Sequence, residues 1–193
     1  RAMDASRVSD GAFDPTVGPL VDRWGFGPLT KGGMPSADEL RRLAESVGAT
    51  SLAVGASGRH ARKCRGETRV DLSGIAKGYA VDQVCDTLHA AGEHSFLFEL
   101  GGEVRVVGSP PDGDVWRIGI EHPSQASAAP YQRLAIRDLA VATSGSYRNF
   151  RQWNGRRYCH SIDPRTGYPV VHDLTSVTVA APSTMDADVW STA

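Results

Sequence analysis

What this chain lacks first is net charge: 21 lysines and arginines stand against 22 aspartates and glutamates over 193 residues. That balance argues against nucleic-acid binding and against a membrane-surface role, both of which draw on a basic excess. Long apolar runs are missing too. None approaches the ~18 residues of a spanning helix, and no stretch reads as a signal peptide, which says little for a chain that opens mid-helix. Cysteine is scarce: Cys64, Cys85 and Cys159 form no CxxC pair and cannot all bond to one another. Structural zinc is therefore not expected, and the redox compartment stays open. The length suits one domain or two small lobes around a sizeable core. The chain opens on Arg1-Ala2-Met3-Asp4-Ala5-Ser6-Arg7, which reads as the end of a helix, and stops at Ala193 inside what reads as the beginning of another. An internal piece of a longer protein is the expectation.

What is present centres on the stretch from Asp71 to Asp82, DLSGIAKGYAVD. Arg69 to Leu72 read as a strand. Ile75, Ala80, Val84, Leu88 and Ala91 then recur at roughly helical spacing, with Ser73 as N-cap and Gly92 as stop. The start of such a helix offers free N–H groups and a positive dipole end; Lys77 adds a full charge, and Gly74 and Gly78 let a ligand come close. That is a site for phosphate. Asp71 beside it would repel a bare phosphate, which points to a bridging metal or to a ligand with donor groups as well as phosphates. The same segment taken alone is equally an ordinary strand-to-helix turn with a solvated lysine.

Upstream, Asp10–Leu20 is dense in turn formers and reads as a structured loop, with Asp14 biased to extended backbone by the proline after it. Trp24-Gly25-Phe26-Gly27 is a glycine-framed aromatic patch, core plug before ring platform. Ser36 and Glu39 make a capping box that opens a helix with Leu40, Leu43, Ala44 and Val47 on one face, closed by Gly48; Arg41, Arg42 and Glu45 form its solvated side. Downstream the chain becomes strand-rich: Ser95–Leu100, Glu103–Val107, Trp116–Glu121, Arg133–Ile136 and Leu139–Ala142, later Leu174–Ala181. The order predicts α+β lobes with antiparallel pairs. Glu99-Leu100-Gly101-Gly102-Glu103 reads as a plain hairpin before a close ligand approach, and Pro123–Pro130 as a flexible surface loop.

Chemistry returns in the hydroxyl run Thr143-Ser144-Gly145-Ser146-Tyr147-Arg148, fit to bond a ligand or merely to close a turn. It returns again in Tyr158–Pro169, where His160 stands three residues before Asp163 and five before Arg165. Histidine is the side chain whose unperturbed pKa suits proton transfer near neutrality, although one histidine without a visible partner is as readily structural. Ser183 and Asp186 start a last helix on which Asp188 and Thr192, at i and i+4, share a face. A carboxylate and a hydroxyl there are hard-oxygen ligands of the kind magnesium or calcium takes, or else parts of a capped helix.

The segments GAFDPTVGPLVDRWGFGP, DLSGIAKGYAVD, ELGGEVRVVG, ATSGSYRNF, YCHSIDPRTGYPV and TVAAPSTMDADVWSTA occur in the order and rough spacing of the ApbE family, the FAD:protein FMN transferases, and the resemblance covers essentially the whole chain. It implies a two-lobed α+β fold with mostly antiparallel sheets flanked by helices and FAD in the cleft between lobes. It implies that magnesium polarises the FAD pyrophosphate, and that FMN passes to a threonine or serine hydroxyl of an acceptor flavoprotein with release of AMP. The FAD contacts carry over as Ala12, Phe13, Asp14, Asp71 and Lys77, with Thr143 and Ser144. The metal ligands carry over as the backbone carbonyl of Gly74 and the side chains of Asp188 and Thr192, and the base as His160. Glu99 and Glu103 depart from the family, which more often shows Asn and Asp there. An FAD pyrophosphatase giving FMN and AMP, or a flavin-binding module without activity, are the alternative readings. The family also suggests a cell-envelope place, periplasmic or as an extracytoplasmic lipoprotein, or a cytoplasmic one.

Overall fold

The computed structural model describes residues 1–29, 33–123, 129–147 and 149–193. In chain order its elements are α1 (Ala2–Val8), α2 (Gly18–Arg23), α3 (Ala37–Ala44), β1 (Leu52–Val54), β2 (Ala61–Lys63), α4 (Ala76–Ala90), β3 (Phe96–Leu100), β4 (Glu103–Val107), β5 (Trp116–Ile120), β6 (Gln132–Ile136), β7 (Ala140–Gly145), β8 (Phe150–Trp153), β9 (Arg156–Cys159), β10 (Ile162–Asp163), β11 (Tyr168–Pro169), β12 (Ser176–Ala181) and α5 (Thr184–Thr192). The strand pairs are antiparallel throughout, so the α+β class read from the sequence is the one observed. The chain divides into two compact units, one of Arg1–Leu72 with β8 to Asp173, the other of Ser73–Tyr147 with Leu174–Thr192. The greater part of the predicted loop Pro123–Pro130, and Arg148 of the hydroxyl run, lie outside the described residues.

The first unit is built on Trp24. Its ring is fully buried with Leu20, Leu40 and Ile162, stacks on Tyr158 at 5.3 Å, and donates its Nε1–H to the Gly167 carbonyl at 2.8 Å. The aromatic patch is therefore core at Trp24, because a buried indole needs one acceptor and finds it. The capping box of α3 forms as read, with Glu39 N–H donating to Ser36 Oγ and Ser36 N–H to Glu39 Oε2. The helix stops at Ala44, short of Val47, ahead of Gly48 at φ +116. The strand expected at Arg69–Leu72 does not form. A single parallel bridge joins Arg69 to Val17, Asp71 N–H donates to the Pro15 carbonyl at 2.8 Å, and the pairing ends there because Pro15 has no N–H and α2 begins at Gly18. The β8–β9 hairpin was not read from the sequence, although its loop Asn154-Gly155, with φ 50 and 76, carries the dipeptide that a two-residue type I′ turn selects.

The second unit is a four-stranded sheet in the order β12-β7-β4-β3, against which α4 and α5 pack. Val106, Ile136 and Val141 form one core cluster, while Ala142, Ala181 and Ala187 let α5 lie close on the sheet. Gly101 and Gly102 turn β3 into β4 with φ 61 and 100, the plain hairpin expected. β7 runs three residues past its predicted end at Ala142, since β12 pairs alongside it as far as Ser176 opposite Gly145. The α4 stripe also differs from the reading. Gly78, Val81, Asp82 and Cys85 face inward, whereas Val84 and Ala91 are exposed. A carboxylate holds a core position here because Asp82 pairs with Arg105 at 2.7 Å and accepts the Thr184 and Met185 N–H groups at 2.9 Å each. Gly92 does stop α4: its N–H and that of Glu93 close back on His89 and Leu88, a Schellman ending.

Candidate active site

The phosphate-site reading placed the start of the central helix at Ser73, but α4 begins at Ala76 with Ile75 as N-cap. Residues 73–75 form a turn, and Ile75 is buried. The polar cap comes from elsewhere in the chain: Asp188 Oδ2 accepts the Gly78 N–H at 2.9 Å. A helix start that lacks a local cap thus receives a carboxylate from α5, which also meets its positive dipole end. Only glycine fits at position 78, since a Cβ there would lie 2.5 Å from the Thr184 carbonyl oxygen.

Lys77 projects from this turn, half-exposed, and its Nζ lies 2.6 Å from Glu103 Oε1 and 3.5 Å from the Gly101 carbonyl. Glu103 is 2 % exposed and its Oε2 has no hydrogen-bond partner. Burial pushes its carboxyl above the usual carboxylate range, and Lys77 offsets part of that push. Sequence reasoning noted Glu103 only as a hairpin residue that departs from the family, since no local signal announces its burial against Lys77.

The residues expected to hold a metal lie in this same unit. Asp188 is 3 % exposed; burial raises its pKa, while the Gly78 N–H and Lys77 pull it down. Thr192 Oγ1 donates to the Asp188 carbonyl at 3.1 Å, so its lone pairs face other partners, one of them Ser144 Oγ at 3.3 Å. Ser144 also meets Ser191 Oγ at 3.0 Å. Thr143, by contrast, is paired across the ladder with Thr178 Oγ1 at 2.9 Å. Gly74 lies in the turn leading into α4. Among the described residues no three His, Cys, Asp or Glu side chains cluster to hold a metal; the predicted set is of another kind, one carboxylate, one hydroxyl and one carbonyl. These donors fit magnesium, because all three are hard oxygens and the one carboxylate among them, Asp188, is buried.

In the first unit, Asp14 is buried and its carboxylate is occupied: Ser6 Oγ donates to Oδ2 at 2.9 Å, and the Thr16 N–H and Oγ1 donate to Oδ1 at 2.8 and 2.5 Å. Asp14 therefore shapes the loop, while buried Phe13 and half-buried Ala12 are held by Ser9, whose Oγ accepts the Phe13 N–H at 3.0 Å and whose carbonyl accepts the Ala12 N–H at 3.1 Å. Half-buried Asp71 follows the Arg69 bridge. His160 stands one residue past β9, half-buried, with Nδ1 3.2 Å from the Asn149 carbonyl and its ring edge-on to Phe26. A carbonyl only accepts, so Nδ1 carries the proton and Nε2 keeps the basic lone pair. Asp163 is not its partner. That carboxylate is bidentate to Arg165 at 2.9 and 3.0 Å, which holds its pKa down.

The ApbE family model matches residues 1–193. The FAD:protein FMN transferase of Vibrio cholerae is 42% identical over 192 residues, covering 99% of this chain and 57% of that protein. The protein of the same name in Haemophilus influenzae is 38% identical over 195 residues, covering 99% and 56%. Of the solved structures, the flavin transferase ApbE from Vibrio cholerae agrees with a TM-score of 0.87 at 41% identity, over 99% of this chain and 60% of that one. The chain spans little more than half the length of the curated relatives it matches. With the antiparallel α+β architecture and every quoted motif inside the matched span, this chain belongs to the ApbE family.

Proposed function

We propose that the protein carries out the magnesium-dependent transfer of FMN from FAD to a threonine or serine hydroxyl of an acceptor flavoprotein, releasing AMP. The observation that carries this reading is the Gly78 N–H at the α4 start donating to Asp188 Oδ2, one residue after Lys77, on the same helix α5 that carries Thr192 with its hydroxyl beside Ser144. Lys77 brings a positive charge for phosphate oxygens, and Asp188, Thr192 and the Gly74 carbonyl are hard oxygens for a cation. The relatives that this chain matches are named FAD:protein FMN transferases.

In this reading Gly74 O, Asp188 and Thr192 hold the magnesium, whose charge, when bound, would stabilise the pyrophosphate and the departing AMP. Lys77 gives a charge-assisted hydrogen bond to the pyrophosphate, and Ala12, Phe13, Asp14, Asp71, Thr143 and Ser144 take the remaining FAD contacts. Asp14 acts there through the loop it braces, its carboxylate being already engaged. His160 Nε2 removes the proton of the acceptor hydroxyl. The hydroxyl oxygen bonds to the FMN-side phosphorus, the bond from that phosphorus to the bridging oxygen breaks, and the electron pair leaves with AMP.

The test is incubation of the whole protein with FAD, magnesium and a candidate flavoprotein domain. Acid-stable yellow acceptor protein with one AMP per flavin is the expected result. AMP release without labelled acceptor would instead make the enzyme an FAD pyrophosphatase, and neither product would leave a flavin-binding module.

A further inference from the structure

We propose that Asp82 is a positioning residue for the cation-binding oxygens of the second unit, acting through the N-terminus of α5; the proposal rests on the transferase reading above. The two helices exchange carboxylates in a nearly symmetrical way. Asp188 of α5 accepts the Gly78 N–H of α4 at 2.9 Å, and Asp82 of α4, one turn beyond Gly78, accepts the Thr184 N–H of α5, one turn before Asp188, at 2.9 Å. The second Asp82 oxygen takes the Met185 N–H at 2.9 Å, and Ser183 Oγ takes that of Asp186 at 3.1 Å. The first three N–H groups of α5 are thereby satisfied, two of them by a residue on another helix.

An ion pair, burial and the close approach of the two helices leave Asp82 little freedom to move. Arg105 of β4 holds its Oδ1 at 2.7 Å, the residue is 7 % exposed, and Gly78 lets the helix starts approach so closely that a Cβ would lie 2.7 Å from Met185 Cα. α5 carries Asp188 and Thr192, one and two turns past the clamp, while Gly74 stands in the turn just before the N-cap Ile75 of α4. The Asp82 clasp therefore sets how the Asp188 and Thr192 oxygens stand relative to the Gly74 carbonyl. Magnesium demands near-octahedral oxygens at about 2.0–2.1 Å, so a small slide or rotation of α5 would spoil the set even though Asp82 is not one of the ligands.

The experiment measures magnesium binding by calorimetry, independent of turnover, on the whole wild-type protein and three variants. Asp82→Asn keeps the shape but leaves one acceptor oxygen for two N–H groups; it is expected to weaken magnesium binding about tenfold or more, with metal-free FAD affinity, read by flavin fluorescence, within about twofold of wild type. Arg105→Gln keeps both caps and loosens the carboxylate; a weakening of about threefold is expected, and it supplies the reading if Asp82→Asn does not fold. Asp86→Asn removes an exposed acid 3.7 Å from Arg105 and is expected to bind magnesium as wild type does. Folded Asp82→Asn, or Arg105→Gln in its place, with wild-type magnesium affinity and only a lowered melting temperature reduces Asp82 to a helix cap and overturns the proposal. Wild-type protein without saturable magnesium binding overturns the cation site itself. Affinity lost equally in Asp86→Asn assigns the effect to surface charge and overturns the positioning role alone.

Discussion

Lys77 meets two demands that pull apart. Its ammonium pairs with one oxygen of a buried glutamate 2.6 Å away, and the same charge is the one offered to the FAD pyrophosphate. Lys77→Ala should lose FAD affinity by about 1.5–3 kcal/mol, the worth of a charge-assisted contact. It should also destabilise the fold by about 1–3 kcal/mol because Glu103 is left buried and unpaired, less than a fully buried pair would cost since the lysine is half-exposed. The double variant Lys77→Met with Glu103→Gln separates the two roles: stability recovers and FAD affinity does not. Recovery of both, by denaturant titration and flavin fluorescence, would remove Lys77 from the flavin site. His160 poses the opposite case, since its Nδ1 is oriented by a backbone carbonyl and its removal touches little of the core. His160→Ala should slow single-turnover AMP release by roughly 10²–10⁴ while FAD still binds, because a base acts in the transition state. Equal loss of binding, stability and rate would make the histidine structural.

Among the elements, the α4–α5 contact decides between a local and a tertiary effect at one position. Alanine is a better helix former than glycine by about 1 kcal/mol, so Gly78→Ala would stabilise an isolated α4. In the folded unit the added Cβ meets the Thr184 carbonyl oxygen at 2.5 Å, backbone that cannot step aside, and overpacking costs about 1–3 kcal/mol, occasionally more. A net loss of stability is the expected outcome, and an unchanged or raised denaturation midpoint would refute the close approach. At the start of α3, Glu39 accepts from Arg23 and from the Ser36 N–H, and the Arg23 bond above all holds its pKa near 2. A carboxylate whose folded pKa lies below its unfolded one adds stability that is fully present above the ordinary carboxylate range and is lost as pH falls toward that lower value. A carboxyl-carbon NMR titration of Glu39 should place its midpoint near 2, and a midpoint at the ordinary value would break the Arg23 pairing.

On the scale of the whole molecule, catalysis should depend on a hard divalent cation, since the oxygens set aside for it include neither sulfur nor imidazole. Chelation should abolish AMP release, and added magnesium restore it. Asp188→Asn keeps the shape and an acceptor for the Gly78 N–H, so the fold should survive while the magnesium needed for half-maximal rate rises by at least about tenfold. Full-rate AMP release from chelated protein would end the metal role. The loop braced by Asp14 is the corresponding test in the first unit: loosening it through Thr16→Val, which removes the hydroxyl contact to Asp14 and to the Gly48 N–H, should lower stability and FAD affinity together, by calorimetry and flavin fluorescence.

Much of this was legible without coordinates wherever the cause is local. The capping box at Ser36 and Glu39, the stop at Gly92, the hairpin at Gly101-Gly102 and the Ser183 start of α5 are each written within a few consecutive residues, and each formed as read. The motifs in their order also carried the family and the α+β class. The Asn154-Gly155 turn was equally local and simply passed over. What the chain could not reveal in one dimension are partnerships across long separations. Nothing near Ser73 announces that the α4 cap is Asp188, nothing near Asp82 that a core carboxylate is satisfied by Arg105 and the start of α5, and nothing in a double-glycine hairpin that Glu103 is buried against Lys77. Polar groups reach the interior only when paired, and which pairs are made is decided by the tertiary structure.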